Sequence, residues 1–221
     1  MPKTKPPNSI KLLFIGNSFT QRNNLPGLLT DLAAARDVSI THDLISAGGA
    51  SLRRHWNDGR AAAAIAAGGY DYVVLQEQST LPVKNAKRMA ENVRLFDDAI
   101  KRAGSRTVLY MTWARQHAPE TQQAITDAYT TIGTELGAIV IPVGLAWQNF
   151  LAHHDQSAHP IALHDRDQSH PTLAGSYLAA CVFLAALFHQ NPIGITPAPA
   201  GIAPTDFALL QTTAWEIARA R

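Results

Sequence analysis

The sequence predicts an α/β fold: three layers, α/β/α, around a parallel sheet of five strands. Three observations carry this. Five short apolar runs each stop at glycine or at polar residues, helical periodicity fills the intervals between them, and neither a repeat nor a linker interrupts the alternation. Near-continuous apolar strands are what a parallel sheet covered on both faces requires. A chain of 221 residues is one domain at ordinary sizes, or at most two small ones. By surface scaling it buries roughly 70% of its unfolded area, enough to hold a core without disulfides or metal.

The elements follow in order. Ile10–Ile15 is a buried strand ended by Gly16. Leu25–Arg36 repeats leucine and alanine at helical spacing, with Pro26 suited to a first turn. Val38–Ile45 is strand-like and stops at Ala47-Gly48-Gly49, and Ser51–Ala67 is an alanine-rich helix ended by Gly68-Gly69. Tyr70–Leu75 is the third strand, Asn85–Ala103 the next helix, and Thr107–Thr112 the fourth strand. Glu120–Leu136 is a helix closed by Gly137, and Ala138–Val143 is the fifth strand. Pro171–Phe188 reads as a buried helix, because its continuous apolar part is too short for the ~30 Å hydrocarbon core of a membrane. Residues 191–204 are proline-rich and expected on the surface, and residues 205–221 form a docking helix with Phe207, Leu210, Ala214 and Ile217 on one stripe. Residues 1–8 are expected to be a flexible N-terminus, so that 1–221 is a single domain.

Composition excludes several classes of function. Hydrophobic residues are 46% and charged residues 16%, which is incompatible with disorder. A net charge of +2 without a basic cluster argues against nucleic acid and against a membrane surface. A single cysteine, Cys181, excludes an internal disulfide and a cysteine-based zinc site. The crowd of His153, His154, Asp155, His159, His164 and Asp165 lacks the helical spacing of metal ligands and reads as a polar loop, so no metal is expected. The N-terminus has lysines but no apolar core of a secretory signal, so the chain as it stands is expected in the cytoplasm, unless a signal has been removed.

In open parallel sheets ligands bind beyond the carboxyl ends of the strands, so the loops there are the place to look. The first carries Gly16-Asn17-Ser18-Phe19-Thr20, in which Ser18 is a turn or capping residue or a nucleophile. It lacks the Gly-Lys-Ser/Thr of a nucleotide phosphate loop. The second carries Gly48-Gly49-Ala50-Ser51, where paired glycines let backbone N–H groups approach a ligand. The third carries Gln76-Glu77-Gln78-Ser79, long polar side chains directly continuing an apolar strand. Such groups are costly to bury unless hydrogen-bonded, so they either point into a site or form a bracing network. Trp113, after the fourth strand, is either core or the wall of a substrate pocket. Asp167-Gln168-Ser169-His170 precedes the buried helix, with Asp167 close enough to orient one nitrogen of His170.

Together these residues resemble the SGNH, or GDSL-type, serine esterase superfamily. Gly16-Asn17-Ser18 is similar to the serine block, Gly49 (in preference to Gly48) to the glycine block, and Asp167-Gln168-Ser169-His170 to the terminal Asp-x-x-His. Two departures stand out. Asn17 replaces the usual aspartate, and Leu75-Gln76-Glu77-Gln78-Ser79 occupies the place of the usual asparagine block, a feature that resembles a bacterial subgroup. The resemblance implies the flavodoxin-like SGNH fold and a catalytic Ser18, His170 and Asp167. It also implies an oxyanion hole of Ser18 N–H, Gly49 N–H and a glutamine amide, Gln78 in preference to Gln76. Gln76 and Trp113 are candidates for the substrate pocket. The implied activity is carboxylic ester hydrolysis without a cofactor, on a small-molecule ester or an O-acetylated carbohydrate, with the oligomeric state left open. Two alternatives compete: a flavodoxin-like module cradling a flavin phosphate in residues 16–23, and a catalytically silent relative that only binds.

Overall fold

The computed structural model describes residues 9–154, 161–196, 199 and 201–220. The expected N-terminal tail, together with Asp155 and His159 of the polar loop, lies outside them. Five strands form one sheet: β1 (Ser9–Gly16), β2 (Ser39–Ser46), β3 (Tyr72–Leu75), β4 (Arg106–Tyr110) and β5 (Ile139–Ile141). Their order is β2-β1-β3-β4-β5 and every neighbouring pair is parallel, as expected. The chain runs from β1 to one side and then returns to lay β3 on the other. The carboxyl ends of β1 and β3 therefore flank the point where strand order reverses, which is where open α/β sheets bind ligands.

Alternation along each strand divides the core into two layers. Leu12, Phe14, Val74, Val108 and Tyr110 face one side, packed with α2 (Leu25–Ala34), α8 (Val143–His153), α9 (Leu173–Phe188) and α10 (Pro204–Arg219). Leu13, Ile15, Val73, Leu75 and Leu109 face the other, packed with α3 (Leu52–Asn57), α4 (Arg60–Ala67), α6 (Ala86–Arg102) and α7 (Gln122–Leu136). Two single-turn helices, α1 (Ser18–Gln21) and α5 (Leu81–Lys84), follow β1 and β3. The expected stripe of α10 is the one that packs, with Leu210 and Ala214 fully buried. Among the described residues no helix is long and apolar enough to cross a membrane.

The structure departs from expectation in three places. The alanine-rich helix is two helices, because the chain breaks at Asp58-Gly59, where Gly59 takes a positive φ. The fifth strand ends at Ile141, and Pro142 opens α8, which the sequence reading did not assign. A Cβ on Gly144 would collide with the Thr112 carbonyl oxygen, so only glycine lets α8 pack this closely on the end of β4. The proline-rich segment is anchored rather than lying on the surface throughout. Ile195 is buried, its carbonyl accepts from Gln211 Nε2, and Gly194 N–H donates to Gln211 Oε1.

Candidate active site

Ser18 is the first residue of α1. Asn17 caps that turn, its Oδ1 accepting from Phe19 N–H, and its Nδ2 donates to the Ala50 carbonyl at 3.0 Å, tying the first loop to the second. Beneath the turn lies Gln76, 1% exposed. Its Oε1 accepts from Asn17 N–H at 2.9 Å and from Thr20 Oγ1 at 3.0 Å, while its Nε2 donates to the Glu77 carbonyl. Both ends of that amide are used inside the protein, so Gln76 holds the serine turn and does not line a substrate pocket. The buried His55, on α3, adds a second brace: its Nε2 lies 2.7 Å from the Gly16 carbonyl. Burial pushes its imidazole below the usual histidine range, so it stays neutral and donates to that carbonyl. Of the N–H groups from Asn17 to Gln21, only that of Ser18 has no acceptor among the described residues. A phosphate cradle needs several such groups, so this turn suits one oxygen atom better than a phosphate.

The Asp167 loop brings the other half. His170 Nε2 lies 2.8 Å from Ser18 Oγ, and His170 Nδ1 is hydrogen-bonded to Asp167 Oδ2. Asp167 Oδ1 also accepts from the backbone N–H groups of Ser169, at 3.0 Å, and His170, at 2.9 Å. Those donors, the His170 N–H first, hold the carboxyl down at about 2 against its own desolvation. Asp167 therefore stays ionised far below neutrality. A depressed carboxylate adds stability above its unfolded value and loses it as pH falls toward the folded one. The stability advantage of wild type over Asp167→Asn should accordingly shrink as pH falls below about 5 in urea titrations. An advantage that persists unchanged down to about pH 2 would contradict this placement. The effect is small, because the Asp167 side chain is 45% exposed.

Gly49 has φ +64, a left-handed conformation that favours glycine, and it follows β2 beside the Ala50 carbonyl that Asn17 grips. Gln78 is half-buried. Its Oε1 accepts from both Thr80 N–H and Thr80 Oγ1, each at 2.9 Å, which fixes the amide and leaves Nε2 without an acceptor among the described residues. Trp113 is core, 2% exposed. It stacks on Phe19 at 4.8 Å and on Trp147 at 3.8 Å, and its Nε1 donates to the Ser169 carbonyl. Phe19 in turn meets the His170 ring edge-on at 5.3 Å. Trp113 thus supports both the serine turn and the histidine loop from below and is no pocket wall. The nearby apolar hollow, about 250 Å³ and lined by Ala114, Trp147, Leu151 and His164, does not include it.

The polar loop splits up. His164 turns inward to the Ala114 carbonyl, Asp165 pairs with Arg22 at 2.7 Å, and His153 Nδ1 sits 3.0 Å from the Asn149 carbonyl. Among the described residues no three potential ligands converge as a metal site would require. Asn17 and Thr20 belong to the loop singled out in the sequence, but nothing there assigned them or His55 a bracing role. For His55 the only hint was a histidine on the apolar stripe of a helix.

No protein-family model and no curated protein matches the chain. Solved structures do. The chain is 24% identical to a DUF4886 family protein of Bacteroides uniformis, with 94% of each chain covered and a TM-score of 0.75. It is 27% identical to a protein of Slackia heliotrinireducens proposed to be an SGNH hydrolase, over 81% of this chain and all of that one, at 0.67. It is 16% identical to Axe2, an acetylxylan esterase of Geobacillus stearothermophilus, over 86% of this chain and 97% of that one, at 0.63. The fold is the α/β fold of SGNH hydrolases.

Proposed function

We propose that the protein is a serine esterase of the SGNH type that cleaves carboxylic esters through an acyl-enzyme on Ser18. The observation that carries this is the line Ser18 Oγ, His170, Asp167, with the serine oxygen 2.8 Å from a ring nitrogen whose partner nitrogen is held by a carboxylate. A serine hydroxyl is a weak nucleophile and needs such a base. His170 takes the hydroxyl proton as Oγ attacks the ester carbonyl, then gives it to the departing alkoxide. Water repeats the sequence, and the acid leaves. Asp167 fixes the tautomer and stabilises the imidazolium. The carbonyl oxygen receives its charge between Ser18 N–H, Gly49 N–H and Gln78 Nε2. The names of the acetylxylan esterase neighbours favour an O-acetylated carbohydrate as substrate.

The test is hydrolysis of 4-nitrophenyl acetate, followed by acetate release from acetylated xylo-oligosaccharides. A fluorophosphonate should label Ser18 alone, and His170→Ala should abolish the labelling. Wild type that is inert to both reagents would leave the silent-relative reading standing. Gln78→Ala should lower kcat by about 10²–10³, the usual loss for one oxyanion donor, at nearly unchanged KM. Gln76→Ala should chiefly lower the melting temperature. If Gln76→Ala alone kills turnover in a fully stable protein, the donor has been assigned to the wrong amide.

A further inference from the structure

The donors assigned to the oxyanion sit on different loops, Gly49 after β2 and Gln78 after β3. An oxyanion hole works only when its donors are held to within about 0.5 Å. Something must therefore fix the distance between these loops. The residue between the two glutamines is fully buried: Glu77 is 0% exposed at the end of an apolar strand. Its Oε1 accepts two backbone hydrogen bonds at once, from Leu52 N–H at 3.0 Å and from Gln78 N–H at 2.7 Å. Leu52 opens α3 three residues after Gly49, and Gln78 carries the amide donor itself. Its Oε2 accepts from Asn92 Nδ2 on α6 at 2.8 Å, and Asn92 Oδ1 accepts from Arg53 Nε at 3.0 Å. Arg53 neighbours Leu52, so the network closes on itself: β3, α6, α3 and back to Glu77.

We propose that Glu77 is the positioning residue of the oxyanion hole, one carboxylate oxygen setting the spacing between the loop that carries Gly49 and the loop that carries Gln78. The inference rests on the esterase reading. Burying a carboxylate is costly and is tolerated here because three donors and the nearby Arg53 offset it. Burial raises its proton affinity while those donors lower it, burial being the larger effect. An apolar residue would fill the same space more cheaply, but it could not accept two N–H groups from separate loops on a single atom. The carboxylate bonds the backbone and not a substrate, so its charge is spent on geometry rather than on the reaction.

The network can be rewired without changing its shape. In Glu77→Gln the amide can keep its oxygen on the two backbone N–H groups, but its nitrogen then faces the Asn92 nitrogen, donor against donor. In Glu77→Gln/Asn92→Asp that nitrogen meets a carboxylate, which still accepts from Arg53, and the buried negative charge has moved one residue along the chain of hydrogen bonds. With 4-nitrophenyl acetate, Glu77→Gln should lower kcat 10- to 100-fold with KM within about 2-fold, and phosphonylation of Ser18 should slow by a similar factor. The paired variant should return kcat to within about 5-fold of wild type. Full kcat in Glu77→Gln overturns the proposal, and so does a paired variant that recovers its melting temperature but not kcat, since the network is then only structural. If Glu77→Gln does not fold, Asn92→Ala removes the Oε2 donor together with the acceptor of Arg53 Nε and should lower kcat about 10-fold at unchanged KM, and full activity there overturns the proposal equally. A wild-type protein that neither turns over nor labels overturns the esterase reading and the proposal together, whereas an active wild type with an indifferent Glu77 overturns the proposal alone.

Discussion

Ser18→Ala is expected to lower kcat toward 4-nitrophenyl acetate by about 10⁴–10⁶, and His170→Ala by a similar factor, with the double variant scarcely worse than either. In the proposed mechanism the two groups act as one unit: Oγ attacks only while Nε2, 2.8 Å away, receives its proton, so removing either partner removes the same step. Residual turnover should persist in both, because the N–H groups around the oxyanion remain. The melting temperature should barely move, since Ser18 and His170 are only half-buried and neither supports the core. Strictly additive losses would mean that the pair does not function as nucleophile and base.

Trp113→Ala should be the most damaging substitution in stability. The indole is sandwiched between Phe19 and Trp147, and truncating a buried tryptophan costs about 3–5 kcal/mol. For a domain of this length that is a fall of roughly 6–20 °C in melting temperature. Trp113→Phe keeps much of the stack and loses the donor to the Ser169 carbonyl, a cost of about 1 kcal/mol. Thermal melts separate the two, and an alanine variant melting within about 2 °C of wild type would refute the support assigned to this ring.

Much of this was legible in the residues. The five strands, their parallel pairing and the helices on both faces follow from apolar runs whose length and periodicity differ plainly. Ser18, Gly49 and Asp167–His170 were readable as candidates because each follows a strand or precedes a buried helix, at the edge of the sheet where ligands bind, and because their order resembles the SGNH blocks. The role of Gln76 was not. Its amide is consumed by Asn17 N–H, Thr20 Oγ1 and the Glu77 carbonyl, and such bonds depend on how far β1 extends past β3. β3 ends at Leu75, so the alternation of a strand does not reach the three residues that follow it. Trp113 was even-handed for a similar reason: an indole is core or wall according to what α8 places beside it, and α8 itself went unassigned. It is capped by Pro142 and starts with Val143 and Gly144, a poor helical signature that tertiary packing overrides.

The near-parallel Trp113 and Trp147 rings, 3.8 Å apart and inclined by 5°, also make the site optically addressable. Two indoles so disposed share their electronic transitions, and the pair should dominate near-ultraviolet circular dichroism. Phe19, stacked on one side of the pair, is the residue next to Ser18, and Ser169, whose carbonyl accepts from Trp113 Nε1, is the residue next to His170. An acyl group arriving on the serine or a tilt of the histidine loop would therefore perturb that signal without any label being attached. Stopped-flow dichroism could follow acylation and deacylation with colourless natural esters, freeing the search for a substrate from chromogenic leaving groups.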